Sequence, residues 1–193
     1  AHPEVTVLTR ATVVGAYDGN SFQIEEAVGA RLGADAPAGL ARKRLWRVRA
    51  RQAVLATGAT ERLLVFAGND RPGVLLAGAA RAYVNRWAVA PWRRAVVFAT
   101  TDDGLTAAAD LQAAGIAVAD VVDGRLGDTV AATRAGGEGR LAAVTVRDAA
   151  GATREVECDL LAVSGGFDPV LGLWHQRRGG TRYDAALGCF VPD

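Results

Sequence analysis

The stretch from Arg51 to Leu55, running into Ala56-Thr57-Gly58, limits the folds open to this chain more than any other. Ala53, Val54 and Leu55 are apolar on both faces of an extended segment, which predicts a buried strand in the middle of an α/β sheet. The small Ala-Thr-Gly tip lets another backbone or a dinucleotide come within contact distance, where a larger side chain would intrude. On the tripeptide alone, a tight strand-to-loop turn with no ligand is an equal alternative. A charged loop follows, and Pro72-Gly73 then opens a helix.

That order resembles the two-dinucleotide-domain flavoproteins. The resemblance implies that the strand before Gly58 closes a first nucleotide-binding domain and that a second, inserted one begins after it. The flanking pattern agrees. Val5–Thr9, Ala11–Tyr17 and Ser21–Ala27 read as strands, and Gly29–Ala41 as a surface loop. Arg42–Arg49 reads as an edge strand completing a small antiparallel meander. Leu75–Ala88 carries Leu76, Ala80, Tyr83, Val84 and Trp87 at helical spacing and is stopped by Pro91. Ala95–Thr100 is a buried strand, Asp102 or Asp103 caps a helix over Leu105–Ala114, Gly115 ends it, and Ile116–Val122 is the next strand. This is the start of a Rossmann-like half. Thr129–Thr133, Leu141–Arg147 and Thr153–Glu157 form a second meander, and Asp159–Val163 is a closing strand.

Meander, closing strand, nucleotide-fold unit, meander, closing strand amounts to one and a half copies of one architecture. The expected fold is α/β, with Rossmann-like halves and β-meanders, as in glutathione reductase. The expected domains are 1–60 (part of a first dinucleotide domain), 61–164 (an inserted, degenerate Rossmann-like domain) and 165–193 (a return toward the first).

Composition narrows the function classes. The 193 residues are 50% hydrophobic and 22% charged, enough for a substantial core. Twenty-two basic residues stand against 21 acidic ones, a net charge of +1, which does not describe a nucleic-acid or membrane surface. Cys158 and Cys189 form no metal or redox motif and read as core thiols of a cytoplasmic protein. The chain has no methionine and opens Ala1-His2-Pro3, so it reads as an interior slice of a longer polypeptide.

A dinucleotide site needs a glycine-rich turn between strand and helix, where backbone N–H groups receive the pyrophosphate. The one candidate turn puts Ala99, Thr101 and Gly104 at the three glycine positions, with Asp102 and Asp103 inside it. Two carboxylates there repel phosphate, so the inserted domain reads as one that binds no dinucleotide. Asp120 and Asp123, near the end of the next strand, read as solvated turn residues. The other site is the one closed by Ala56, Thr57 and Gly58. Its glycine turn would precede Ala1. The strand at Thr12 and Val13 offers main-chain groups to an adenine edge. Arg177 and Arg178, beside Gly179-Gly180, could touch a phosphate but read better as a solvated face; Trp87 and Trp92 read as packing residues, and His175 as a surface residue. No catalytic residue and no metal site is expected.

RATVVGAYDGN, the run from Arg49 through Pro91, RRAVVFATTDDGLTAAADLQAAGI and CDLLAVSGGFDPVLGLW together resemble the α subunit of heterotetrameric sarcosine oxidase, over nearly the whole chain. The Glu61–Val74 run is its most discriminating part. Leu63 departs from the proline usual after Glu-Arg, and Gly19 stands where histidine is common. The resemblance implies an oxidoreductase subunit holding NAD, with the flavins that oxidise sarcosine in another subunit and with further subunits as partners. It implies cofactor-binding roles for Thr12, Val13, Ala56, Thr57 and Gly58. Because the glycine turn of that site would precede Ala1, the chain by itself is expected to fold but to bind NAD weakly or not at all. Two alternatives stand beside it. One is the α subunit of a related amino-acid, opine or cyanide-forming glycine dehydrogenase holding FAD, and the other is a scaffold without catalysis.

Overall fold

The computed structural model describes residues 2–193. They form two compact units. One contains residues up to Gly58 with Pro169–Asp184 and Phe190–Asp193, and the other contains Ala59–Asp168 with Ala185–Cys189.

The first unit opens with an antiparallel meander of β1 (Ala11–Tyr17), β2 (Ser21–Ala27) and β3 (Lys43–Arg49), in that spatial order. Val13 lies opposite Ile24, and Phe22 opposite Val48. The β1 register shifts between Val13 and Gly15, the mark of a bulge. Gly19 at φ 67° and Asn20 at φ 53° turn the chain between β1 and β2.

Two expected strands are missing. Residues 5–9 and 51–58 have no ladder, and Val54 is 92% exposed. A strand apolar on both faces needs a partner on each edge and a layer on each side. The described residues supply neither to 51–58, so the expected core strand is an extended, irregular segment.

The second unit contains β4 (Ala59–Glu61), β5 (Val74–Leu76), α1 (Ala77–Trp87), β6 (Arg94–Ala99), α2 (Asp102–Ala113) and β7 (Ala117–Asp123). After these come β8 (Thr129–Ala135), β9 (Leu141–Arg147), β10 (Thr153–Glu157), β11 (Leu160–Ser164) and β12 (Phe167–Pro169), whose last residue is the first of the returning segment. The sheet β5-β11-β6-β7 is parallel throughout, and β10-β9-β8 is an antiparallel meander.

The core follows from the two-residue period of the parallel strands. Val96, Phe98, Leu161 and Val163 point to one face and pack with Val130, Leu141, Val144 and Val146 of the meander. Ala95, Val97, Leu160 and Ala162 point to the other and pack with Ala77 and Ala80 of α1 and with Ala107 and Leu111 of α2. Alanine dominates the helix side, which lets the helices approach closely. Each large side chain fully buried here stabilises the fold by roughly 1.5–3 kcal/mol.

The cap of α2 is Thr101 rather than Asp102 or Asp103, which form its first turn. Thr101 keeps an extended backbone, and its Oγ1 accepts from Gly104 N at 3.3 Å. Gly115, at φ 84°, ends the helix, its N–H donating to Gln112 O at 2.9 Å. At the foot of β6, the Asp159 carboxylate accepts from Arg93 N and Arg94 N at 2.9–3.1 Å.

The chain then forms α3 (Gly172–Gln176), β13 (Thr181–Asp184) and β14 (Cys189–Pro192), the last two paired. With β4, β5 and β12 these are elements of three to five residues, too short to show a period in the sequence.

Two outcomes are expected. A Cβ on Gly104 would meet the Cβ atoms of Ala99 and Ser164, both at 2.7 Å. Gly104→Val therefore destabilises the second unit by about 1–3 kcal/mol, measured as a lower urea midpoint. Burial pushes the Cys158 thiol up to about 12. In a Cys189→Ser background, Cys158 stays unreactive toward a disulfide reagent at pH 8 and reacts at once in denaturant.

Candidate functional site

Ala56, Thr57 and Gly58 owe their position to the returning chain. Thr57 Oγ1 donates to Val170 O at 2.7 Å, and Val170 N donates to Gly58 O at 3.0 Å. Gly58 has φ 71° with nothing within 4 Å of where a Cβ would stand. Its glycine answers a backbone need, not a shortage of space.

Two cavities meet at this segment. One, of about 530 Å³, is lined by Thr12 and Val13 of β1, by Ala56 and Thr57, and by Val170 and Gln176. The other, of about 380 Å³, is lined by Ala56, Thr57, Gly58, Val170, Trp174 and Arg177, among others. Ala56, Thr57 and Val170 belong to both. Four of the five residues read as cofactor-binding thus share one cavity, and Gly58 lines the adjoining one. All five are exposed. Because β1 is an edge strand, the side of it away from β2 keeps main-chain donors and acceptors outside any ladder.

The short helix α3 is tied to β1, since Gln176 Oε1 accepts from Ala16 N at 2.8 Å. It ends at Arg177, whose guanidinium lies over the Phe22 ring at 5.6 Å while Nη2 donates to Asn20 Oδ1. Arg177 is half-buried, and the reading of it as part of a solvated face is corrected; Arg178 is exposed. Leu171, Trp174 and Arg177 recur every third residue and all line the 380 Å³ cavity, which is the signal that was there to be read.

At the α2 turn, Asp102 and Asp103 are not bare charges. Arg125 spans Asp102 and Asp123, at 2.7 Å to each, and Arg81 pairs with Asp103 at 3.2 Å and Asp110 at 2.6 Å. Nor are Asp120 and Asp123 solvated turn residues. Asp120 holds Arg154 at 2.6 Å, and the Asp123 side chain is 17% exposed. Hydrogen bonds from the Arg125 guanidinium hold the Asp123 carboxyl below its ordinary range, and Asp123 in turn raises Arg125. Arg81 does the same for Asp110. Among the described residues no group of three or more His, Cys, Asp or Glu is placed to hold a metal, and no helix is long and apolar enough to cross a membrane.

The parallel sheet with helices on one face and a meander on the other is the fold of dinucleotide-binding oxidoreductases of the glutathione-reductase type. Solved structures bear this out. L-Proline dehydrogenase from P. horikoshii matches with 25% identity and a TM-score of 0.68, over 95% of this chain and 32% of that one. A NAD-dependent persulfide reductase from A. fulgidus matches with 15% identity and a TM-score of 0.58, over 91% of this chain and 34% of that one. No family model matches.

Curated sequences identify the branch. The sarcosine oxidase subunit alpha of Rhizobium meliloti (strain 1021) is 42% identical over 202 residues, covering 98% of this chain and 20% of that protein. That of Corynebacterium sp. (strain P-1) is 40% identical over 216 residues, covering all of this chain and 22% of its own length. The chain belongs with the sarcosine oxidase alpha subunits, and it spans about a fifth of the length of these relatives.

The lowered carboxyls predict an acid response. A group whose folded pKa is depressed adds stability above its unfolded value of about 3.9 and loses it as pH falls through the folded value. Asp123 and Asp110 should therefore titrate below ordinary aspartates in carbon-detected NMR, and Arg125→Gln should return Asp123 upward toward the ordinary range.

Proposed function

We propose that this stretch forms one wall of a dinucleotide site, with NAD as the ligand, in the alpha subunit of a sarcosine oxidase. In that reading the parent enzyme demethylates sarcosine oxidatively to glycine, flavin chemistry resides in another subunit, and this stretch contributes binding and no catalytic group. The observation that carries it is the shared wall. Ala56 and Thr57 line two adjoining cavities, one of which also borders the open edge of β1 at Thr12 and Val13. Both cavities fall in the size range of ligand sites, and small side chains beside free main-chain groups suit an adenine edge and a ribose. The inserted unit is assigned no nucleotide, because Arg125, Asp102 and Asp123 already satisfy one another across its turn.

A second reading, a FAD-holding alpha subunit of an amino-acid dehydrogenase, is favoured by the likeness to L-proline dehydrogenase. Denaturing the polypeptide that carries this sequence and weighing the released nucleotide by mass spectrometry separates them. NAD is the expected result, FAD supports the second reading, and no nucleotide points to a scaffold and removes both. Thr57→Val should weaken NAD binding by about two- to ten-fold through loss of the bond to Val170 O, read by calorimetry.

A further inference from the structure

We infer that Arg177 is the residue that takes the anionic phosphate of the ligand in the 380 Å³ cavity. The inference deepens the dinucleotide reading and rests on it.

The lining of that cavity is apolar or uncharged except at one place. Leu55, Ala56, Val170, Leu171 and Trp174 supply apolar surface, Thr57 has its hydroxyl proton on Val170 O, and Arg177 is the only charged side chain among the lining residues. Among the described residues eight other arginines, Arg44, Arg81, Arg125 and Arg154 among them, have carboxylate partners within 4 Å, so what sets Arg177 apart is its place in the cavity together with the want of such a partner. Among the described residues Arg177 has none; it donates to the neutral Asn20 carbonyl and lies over Phe22. Both contacts fix the plane of the guanidinium and neither neutralises it.

The framework around it is equally set. Asn20 is held at its other end, with Nδ2 donating to Arg51 O at 3.1 Å, and α3 is fastened to β1 through Gln176. A guanidinium fork held in place and left without a counter-ion loses little freedom on binding and matches a phosphate with two parallel hydrogen bonds. The chemistry it selects is a phosphate or pyrophosphate attached to a flat, largely apolar body that rests against the cavity wall. The pyrophosphate of NAD and the 2′-phosphate of NADP share that chemistry.

The test uses the polypeptide that carries this sequence, stripped of nucleotide, with NAD, NADP, adenosine and inorganic pyrophosphate titrated by calorimetry. Arg177→Gln is expected to weaken NAD and pyrophosphate by about ten- to a hundred-fold and to leave adenosine within about two-fold. Arg177→Lys, which keeps the charge, should recover part of the loss, and Arg178→Gln, at the exposed neighbour, should bind like the parent. A loss for NADP well beyond that for NAD assigns Arg177 to the 2′-phosphate, and equal losses assign it to the pyrophosphate. As a measurement free of folding effects, an arginine-selective dicarbonyl should label Arg177 in the parent protein, mapped by mass spectrometry, and saturating NAD should block that labelling. If NAD binds but neither the variants nor the labelling respond, the role of Arg177 is overturned and the dinucleotide reading stands. If NAD does not bind while pyrophosphate does and is lost in Arg177→Gln, the dinucleotide reading falls and the anion role stands. If neither binds, both are overturned.

Discussion

Two strands of the second unit, β6 and β11, have no face turned to water. From Ala95 to Ala99 and from Leu160 to Ser164 every residue is buried, so each strand needs a layer above it and a layer below. The alternation decides which layer goes where. Valine, leucine and phenylalanine fill the space to the meander, and on the helix side alanines bring α1 and α2 close. The close approach reaches its limit at Gly104, where α2 rests on Ala99 and Ser164 with no room for one more carbon. Gly104 therefore carries the packing duty of a dinucleotide fingerprint glycine.

The first unit is organised differently. No two-sided strand runs through it, and its candidate site depends on chain returning from far along the sequence. Val170 fixes Thr57 and Gly58 through two backbone-directed hydrogen bonds, and Gln176 fastens α3 to β1. Such contacts join residues more than 110 positions apart. The cavities exist because of these few polar ties rather than because of a packed interior.

Legibility did not follow that contrast. The strands β1, β2, β9 and β10 were readable to the residue, and β6, α2, β7 and β11 to within three residues at either end, because alternating or apolar runs stand between turn-forming residues. The segment 51–58 misled for the same reason. Its apolar run implies two-sided burial, yet Val54 stands in solvent because burial requires neighbours that composition cannot guarantee. A phosphate contact at the Arg177-Arg178 pair could be named from the sequence but not preferred. A basic pair beside two glycines looks solvated, and only folding brings Phe22 and Asn20, about 155 positions earlier, under one arginine and not the other. Likewise Asp123 was invisible as a partner of Arg125, since a turn rich in charge looks the same whether its charges are paired or free.

The bulge in β1 has a consequence of its own. A strand with one side unladdered is a template on which a foreign strand, or a second copy of the same chain, can zip and begin to aggregate. The slip between Val13 and Gly15 breaks the even spacing such zipping needs, because an incoming strand would have to carry a matching irregularity. A compact ligand touching only Thr12 and Val13 meets no such obstacle. A small defect in regularity thus works against polymer growth along that edge.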